Sequence, residues 1–447
     1  MYSAHIRQIL TRKRIQPGDH LSIVSGATAA EGILLPQSDL GDPNKLVLKT
    51  DSGYNLGILI RPGAAVEKTP SLRKAATLGK IRSAPVLDFD PTKPPISLVA
   101  TGGTIASRVD YKTGGVYMLM DPREFLHNVP ELRSIVRIQS IQRPFTIASE
   151  DMVPADHWVK IARAVHKELL TDSLGVIVTH GTDILHYTAA AMSFFLRNLN
   201  KPVILTGAQK SADRGSSDAG VNLMCSAQAA LSDIAEVAVC MHGSIDDEFC
   251  YLIRGTRARK MHTVRRDAFR PINDLPIAKI YPGKNIELVN PQYQKRNTKK
   301  PVLDAVFEPK VAVVKVYPGA DPAILNMLVD KKYRGFVVEG TGLGHVPTKS
   351  KLSWTGAIRT LTDSNIPVVV TSQTIYGRVN PNVYTNLRIL FHESGAIPGE
   401  DMTTETAYVK LGWILAHTRA LPKIREMVTT SYAGEISERS LPDTFLY

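Results

Sequence analysis

The segment Gly175–Phe195, GVIVTHGTDILHYTAAAMSFF, predicts a buried strand that passes directly into a helix. A β-branched apolar run precedes the loop HGTD, and an Ala-rich apolar run follows it. In α/β folds, ligands bind beyond the carboxyl ends of the strands. Thr182 and Asp183 therefore lie where such a fold carries its chemistry.

The same alternation extends over most of the chain on either side of this segment. Apolar runs that end in small or hydroxyl residues alternate with helix-like segments; these runs are ISLVATGGT, PVILTGAQK and EVAVCMHGS, and further on VAVVKVYPG, RGFVVEGTG and IPVVVTSQT. Strands that are apolar throughout are covered on both faces, as in parallel sheets. The pattern predicts two α/β domains with mostly parallel sheets.

The N-terminal residues have a different pattern. Short alternating runs broken by Gly, Pro, Asn and Asp over residues 14–61 predict a small β-barrel-like domain, and a stretch rich in Pro, Lys and Arg follows it. The predicted units are the small domain at 1–62, a linker at 63–94, the first α/β domain with the catalytic motifs at 95–285, a connection at 286–310 and the second α/β domain at 311–447.

Composition limits the functional classes. The 447 residues are 43% hydrophobic and carry a net charge of +12, which favours polyanionic partners such as nucleic acid or serves solubility alone. No apolar run approaches the roughly 20 residues of a membrane helix, and the basic N-terminus has no long apolar segment typical of a secretory signal. Three cysteines without a CxxC pattern favour a reducing compartment, and we expect a cytoplasmic protein.

Each motif alone also has a purely structural interpretation. A Thr after a strand commonly caps a helix, and an Asp in a first helical turn favours the helix dipole. GTGLGH at 340–345 lacks the spacing of a dinucleotide-binding loop. The spacing of the histidines does not fit a zinc site, and no metal is expected; the histidines considered are His180, His186, His242 and His262. Ser216 and Ser217 lie in no nucleophile-elbow pattern.

Taken together, the motifs resemble a family. LVATGGTIAS at 98–107 followed by IVTHGTD at 177–183 resembles the double signature of the L-asparaginase-type amidohydrolases. TIASEDM at 146–152 resembles the substrate-binding loop of that family, and RGTRARKMHT at 254–263 resembles the segment with its catalytic Lys. The resemblance covers roughly residues 95–430.

The β-rich extension has no place in a minimal asparaginase. An asparaginase-like core behind such an extension, with TGGTIASRVDYKTGG at 101–115, resembles the D subunits of the archaeal glutamyl-tRNA(Gln) amidotransferases. This resemblance implies a partner, the E subunit of the amidotransferase, with two copies of each chain, and a homodimer through the asparaginase-like core. It implies access to Glu-tRNA(Gln) through the complex. No P-loop pattern occurs in the sequence, so we expect no cofactor here and ATP with Mg in the partner.

The resemblance also implies catalytic roles. Thr104 would be the nucleophile, and Thr182, Asp183 and Lys260 would form a proton relay. A threonine hydroxyl must lose its proton as it attacks, so it needs a base nearby. The protonation state of Lys260 stays open, because burial favours the neutral amine whereas a neighbouring Asp183 favours the ammonium.

Substrate binding is assigned in the same way. Ser149 would bind the α-carboxylate, and Glu150 or Asp183 the α-ammonium group. The Gly102–Gly103 backbone can approach an anion or a developing oxyanion. Which tyrosine assists the nucleophile, Tyr111 or Tyr117, stays open. His345 stands near the position at which a second copy of an asparaginase chain completes the site.

Two other classes remain alternatives. One is a free-standing L-asparaginase or glutaminase with an accessory domain, and the other is a non-catalytic RNA-binding or scaffold protein. The choice between Asn and Gln depends on one methylene, which is worth only about 1–3 kcal/mol in a pocket. Whether tRNA touches this chain directly is open, and the extension is expected to serve assembly rather than hydrolysis.

Overall fold

The structure is a computed structural model that describes residues 2–37, 42–49, 55–69, 90–103, 105, 107–109, 116–118, 129, 131–211 and 217–447. Its N-terminal part begins with helix α1, Ala4–Arg12. Five strands follow, β1 to β5, at His20–Ser25, Thr28–Leu34, Lys45–Lys49, Asn55–Leu59 and Ala65–Lys68. They form one antiparallel sheet in the order β4-β3-β2-β1-β5. Ile6, Leu21 and Leu46 contribute to its separate hydrophobic core.

Two features of this domain differ from the prediction. Helix α1 has no counterpart among the predicted elements, and β5 lies inside the stretch predicted as linker. Helix α1 places Ile6, Ile9 and Leu10 on one face against the small core, whereas the short β5 buries only Val66. No pairing between β4 and β5 occurs in the part of the chain that the structure describes, so closure into a barrel is not confirmed.

The first α/β domain contains an eight-stranded sheet in the order β18-β17-β14-β13-β12-β10-β6-β9. Strands β9, β6, β10, β12 and β13 are parallel, and β14, β17 and β18 continue the sheet antiparallel. The strands of this sheet are β6 (Pro95–Ala100), β9 (Arg137–Gln142), β10 (Val176–Thr179), β12 (Val203–Thr206), β13 (Val237–His242), β14 (Cys250–Arg254), β17 (Ala278–Ile280) and β18 (Ile286–Leu288).

Helices and short hairpins surround this sheet. The helices are α2 (Leu132–Ile135), α3 (Val159–Leu169), α4 (Leu185–Phe195) and α5 (Ala219–Leu231). Two hairpins lie outside the sheet, β7–β8 (Ser107–Val109, Val116–Met118) and β15–β16 (Ala258–Lys260, Phe269–Pro271). Strand β11 (Leu196–Arg197) pairs with β19 (Val302–Leu303). Both β18 and β19 lie in the stretch 286–310, which the sequence predicts as a connection.

The second α/β domain has a four-stranded parallel sheet in the order β20-β21-β22-β23. Its strands are β20 (Val311–Lys315), β21 (Gly335–Gly340), β22 (Val368–Ser372) and β23 (Ile397–Pro398). Its helices are α6 (Ala323–Asp330), α7 (Thr355–Asp363), α8 (Thr385–Arg388), α9 (Thr404–His417) and α10 (Leu421–Thr429). The prediction of two α/β domains with mostly parallel sheets is confirmed.

The two α/β domains share one hydrophobic core. Helix α4 buries ten of its eleven residues, because its sequence is apolar on all sides. It packs against α9 of the second domain, where the rings of Phe194 and Trp413 stack with centroids 5.7 Å apart. One cluster of buried residues therefore runs from the first sheet into the second domain. This common core holds the loops at the start of α4 in a fixed position.

The remaining expectations about composition concern cysteines and membranes. Cys225, Cys240 and Cys250 are free and buried in the first α/β domain. Within the described ranges, none of the helices has the length and apolar character to cross a bilayer.

Candidate active site

Three neighbouring parallel strands, β6, β10 and β12, end at the same edge of the first sheet. The ladder continues one residue beyond β6, since the backbone N–H of Thr101 donates to the carbonyl of Thr179 at 3.1 Å. The Thr101 hydroxyl donates to the same carbonyl at 2.9 Å. The loops TGG, HGTD and TGA consequently leave the sheet side by side, as the sequence predicts.

Glycines allow these loops to touch. Gly103 has φ +87°, and a Cβ at this position would lie 2.4 Å from the backbone nitrogen of Gly181. A Cβ on Gly207 would lie 2.6 Å from the carbonyl oxygen of His180. Real Cβ atoms do not approach backbone atoms so closely, so each of these positions requires glycine. The backbone of the first motif thus lies directly against that of the second.

Ser149 belongs to the same contact region. It lies in the short 3₁₀ turn Ser149–Asp151, and its side chain is buried. A Cβ on Gly181 would lie 2.6 Å from the Ser149 hydroxyl, so this serine packs against the loop that carries Thr182. The Ser149 hydroxyl donates to a carboxylate oxygen of the exposed Glu150 at 3.3 Å.

The centre of the site is a hydrogen-bonded triplet. Lys260 Nζ donates to Thr182 Oγ1 at 3.0 Å and to Asp183 Oδ1 at 2.7 Å. The Lys260 side chain is only 11% exposed, whereas that of Asp183 is 65% exposed. Lys260 ends β15 and pairs with Phe269 in the β15–β16 hairpin, which fixes the direction of its side chain. The triplet therefore opens to solvent on the side of the Asp183 carboxylate.

The sequence alone allowed Thr182 to cap helix α4 and Asp183 to lie in its first turn, and the structure shows neither arrangement. Ile184 is the N-cap residue of α4, no side chain caps this helix, and its first turn contains no acidic residue. Thr182 therefore does not cap the helix, and Asp183 lies before its first turn. Their polar partner is a lysine that is distant in sequence and approaches from the β15–β16 hairpin.

A chain of buried hydrogen bonds fixes the loop from below. His180 Nδ1 lies 2.7 Å from the carbonyl oxygen of Gly181, to which it donates. Its Nε2 therefore accepts from the Thr188 hydroxyl at 2.9 Å, and that hydroxyl accepts from the indole N–H of Trp158 at 3.0 Å. Burial lowers the pKa of His180 to about 4, so the ring is neutral at physiological pH. His180 thus positions the loop that carries Thr182.

His186 is a residue of this site to which the motifs assign no role. It follows Thr182 closely in sequence, and it is buried with no hydrogen-bond partner for Nδ1 among the described residues. Burial first, and then the positive charges of Arg259 and Lys260, lower the pKa of His186 to about 3. A neutral imidazole thus lies beside the cationic groups of the site. No local signal in the sequence singles it out, because Thr182 lies before the N-cap residue and shares no helical face with His186.

The arginines near Lys260 are turned away from the triplet. The buried Arg257 pairs with Asp401 at 3.1 Å, and Arg259 pairs with Glu405 at 3.0 Å. Both carboxylates belong to the second α/β domain. These ion pairs anchor the strand that carries Lys260, and their charges are compensated by partners outside the site.

The remaining predicted residues lie outside the described part of the chain or in other regions of it. Thr104 and Tyr111 lie outside the described residues, and of Tyr117 only the backbone, in β8, is described. His345 lies in the loop after β21 in the second domain, where its ring is 5.2 Å from that of Tyr384. Within the described ranges, no group of three or more potential metal ligands occurs.

This geometry suits proton transfer at a hydroxyl group. An amine within hydrogen-bond distance of a threonine hydroxyl can accept or return a proton, and a carboxylate orients that amine. Asp183 is also exposed enough to bind a cationic group of a substrate. Gly103 and Ser149 both pack against Gly181, next to Thr182 and Asp183, so backbone, hydroxyl and carboxylate groups lie close together for an amide substrate with charged ends.

Comparisons with known proteins identify the two α/β domains and the N-terminal domain. Residues 95–294 match the family model described as Asparaginase, N-terminal, and residues 310–428 match that of the Glutaminase/Asparaginase C-terminal domain. Residues 15–68 match the GatD N-terminal domain. The thermostable L-asparaginase from Thermococcus kodakarensis is similar in structure, with a TM-score of 0.69 and 31% sequence identity over 77% of this chain and 99% of that chain.

Similarity over nearly the whole length is found to another set of proteins. The D subunit of the glutamyl-tRNA(Gln) amidotransferase of Pyrococcus horikoshii is 46% identical over 445 residues, which cover 99% of each chain. The protein of the same name from Thermococcus kodakarensis is 48% identical over 416 residues, 93% of this chain and 92% of that one. The first of these alignments covers 99% of the chain, whereas the asparaginase structure covers 77% of it.

Proposed function

The chain belongs to the family of the glutamyl-tRNA(Gln) amidotransferase D subunits, and on this premise we propose that it releases ammonia from L-glutamine within such an amidotransferase. The ammonia converts Glu-tRNA(Gln) to Gln-tRNA(Gln). The enzyme is an amidohydrolase subunit of a carbon–nitrogen ligase. Because the relatives share the small N-terminal domain as well as the asparaginase-like core, the proposal covers the whole chain.

The observation that carries the proposal is the contact of Lys260 with both Thr182 and Asp183. It joins a hydroxyl, an amine and a carboxylate at a strand end, where neither hydroxyl nor carboxylate serves the helix that follows. A structural role would require no lysine here. A proton relay for amide hydrolysis requires this set of groups.

In the first chemical step, the Thr104 hydroxyl attacks the side-chain carbonyl carbon of glutamine. Its proton passes to the relay of Thr182 and Lys260, and Asp183 keeps the amine oriented. The relay returns the proton to the amide nitrogen, the carbon–nitrogen bond breaks and ammonia leaves. The product of this step is an ester between Thr104 and the γ-carboxyl group.

In the second step, a water molecule replaces ammonia. The same relay accepts a proton from water as the oxygen attacks the ester carbon. The proton returns to the Thr104 oxygen, which leaves, and glutamate is released. Over both steps, glutamine and water give glutamate and ammonia. Backbone N–H groups around Gly103 would stabilise the negative oxygen that forms in each step.

Recognition of the charged end of the substrate falls to the neighbouring groups. The Ser149 hydroxyl binds the α-carboxylate, and Asp183 or Glu150 binds the α-ammonium group. Ser149 is buried against Gly181, so its hydroxyl has one fixed direction, while the two carboxylates are exposed. This placement supports a substrate with an amino-acid end.

The proposal includes assembly with other chains. The E subunit of the amidotransferase is the proposed partner, with two copies of each chain, and it holds the ATP and Mg that activate Glu-tRNA(Gln). The asparaginase-like core forms a homodimer in which His345 reaches the site of the second copy. A net charge of +12 and its tRNA-bound substrate suit a cytoplasmic enzyme close to nucleic acid.

Co-expression with the E subunit encoded by the same genome tests the function. We expect a stable complex that forms Gln-tRNA(Gln) from glutamine, ATP and Glu-tRNA(Gln), with a mass by light scattering of two copies of each chain. Full asparaginase activity of this chain alone, without effect of the partner, would instead favour a free-standing asparaginase.

A further inference from the structure

A concave surface lies at one edge of the first sheet, and the triplet lies at the opposite edge. This cavity of about 500 Å³ lies between the end of α4, the start of β13, the stretch 294–299 and the C-terminal segment 432–434. We call it the seam cavity, because both α/β domains and their connection border it. Strand β13 begins at the cavity and spans six residues of about 3.3 Å each before the opposite edge is reached.

Arg197 is the distinctive side chain of the seam cavity. Its guanidinium lies 5.1 Å from the ring centroid of Tyr432 and 5.7 Å from that of Trp413. Between residues that the structure describes, this guanidinium makes no ion pair and no hydrogen bond, although the side chain is half-buried. The rings of Tyr432 and Trp413 are nearly perpendicular, with centroids 5.3 Å apart, so both lie on the same side of the guanidinium. Because rings offer no strong hydrogen-bond acceptor, its N–H groups remain for one.

Two other charged side chains of the cavity wall, Arg254 and Glu236, already have hydrogen-bond partners. Arg254 donates to Glu236 at 2.9 Å and to Asp274 at 2.9 Å. Glu236 additionally accepts from the backbone N–H of Gln294 at 2.7 Å. The two carboxylates outweigh the single positive charge of Arg254, so this cluster adds no positive charge to the cavity. The positive charge of the cavity comes from Arg197 and from the exposed Lys299 at its rim.

We propose that the seam cavity is a binding site for a small molecule with a carboxylate or phosphate group, distinct from the catalytic triplet. A guanidinium that is pre-oriented by two rings and has its N–H groups open to an acceptor binds such oxyanions through two parallel N–H groups. Lys299 supplies the second positive charge. The volume lies in the range of small-ligand pockets, and its concave shape favours a small anion over the backbone of a nucleic acid.

Calorimetric titration of the full-length chain tests the site, with inorganic phosphate and citrate as separate probes. Arg197→Met keeps an apolar stem against Tyr432 and Trp413 but removes the N–H groups. Arg163→Met is the matched control, because Arg163 is exposed on α3. We expect wild type and the control to bind one equivalent, and Arg197→Met to bind at least about tenfold more weakly, as for a lost charged hydrogen bond.

The result for the two probes identifies the ligand class. Binding of phosphate alone or of citrate alone supports the site and selects one oxyanion, and binding of both supports the shared chemistry. No binding to wild type up to about 10 mM, or equal affinity of Arg197→Met, overturns the proposal. The proposal is also overturned if Arg197→Met binds tRNA more weakly but binds phosphate and citrate as the wild type does. If Arg197→Met does not fold, Lys299→Gln takes its place, and unchanged affinity there overturns the proposal.

Discussion

Both α/β domains end a parallel strand in a Gly–Thr loop, but the two threonines have different surroundings. After β10, Thr182 is buried and accepts a hydrogen bond from Lys260. After β21, Thr341 is exposed, and its hydroxyl donates at 3.4 Å to the carbonyl of His345 within its own turn. The same local pattern thus acquires a basic partner only where a distant hairpin delivers one.

The loops also differ in how closely they are packed. Gly103 and Gly342 both have positive φ, +87° and +51°. A Cβ on Gly103 would lie 2.4 Å from the Gly181 nitrogen, whereas on Gly342 its nearest neighbour would be His345 Nδ1 at 4.0 Å. The first domain therefore has loops from different strands pressed together at Gly103, whereas the turn of the second domain is open at Gly342 and packed only at Gly340 and Gly344. The loops of the first domain are therefore held in fixed positions relative to one another, and catalysis depends on such positioning.

The largest effect should come from the lysine that distinguishes the first domain. Lys260→Ala should lower the rate of ammonia release from glutamine by a factor of about 10² or more, because a positioned acid–base group is lost. Lys315→Ala is the matched control, since Lys315 ends β20 of the second domain and is exposed. Steady-state kinetics measure both. A change in KM with unchanged kcat would show that Lys260 binds substrate instead of transferring protons.

The packing difference predicts a smaller effect, on stability. Gly103→Ala forces backbone atoms apart and adds a left-handed strain, whereas Gly342→Ala adds the strain alone. We expect the free energy of unfolding to fall by at least about 2 kcal/mol more for Gly103→Ala. Thermal or denaturant unfolding of the two variants provides the comparison. An equal loss of stability in the two variants would contradict the difference in packing between the two strand ends.

The third effect concerns the buried His186 and is spread over a range of pH. Its pKa of about 3 lies below the ordinary value of 6.5, so the unfolded chain binds more protons between these pH values. Stability must therefore rise with pH across this window, by up to about 1.4 kcal/mol per pH unit from this residue. His186→Gln should remove that share of the slope in unfolding measured from pH 4 to 7. His345→Gln is the matched variant in the second domain, and an equal change of slope in both would refute the assignment.

Part of this site was predictable from the sequence, for a physical reason. Parallel strands end at one edge of a sheet, so TGG after β6 and HGTD after β10 had to meet there. The contact of Lys260 with Thr182 was expected only from the resemblance, because a short hairpin with three-residue strands has no periodicity that shows where it folds back. The cap interpretation of Thr182 is wrong because Ile184 occupies the cap position.

Other features needed tertiary structure. The hydrogen-bonded chain from Trp158 through Thr188 to His180 joins three elements, and no local sequence pattern predicts it. The four-residue strand β5 buries only Val66, so its sequence resembles the polar linker in which it lies. Sequence patterns show periodic burial well, and they show contacts between single side chains poorly.

The most direct test of the central claim is the complex of the Thr104→Ala variant with the E subunit of the amidotransferase. We predict that glutamine no longer supports formation of Gln-tRNA(Gln), because the nucleophile that releases ammonia is missing. Added ammonium chloride should restore product formation to the rate of the unaltered complex, since the partner and the tRNA site are unchanged. Gln-tRNA(Gln) formed from glutamine at more than a few per cent of the normal rate, or no restoration by ammonium in the intact complex, would contradict the account.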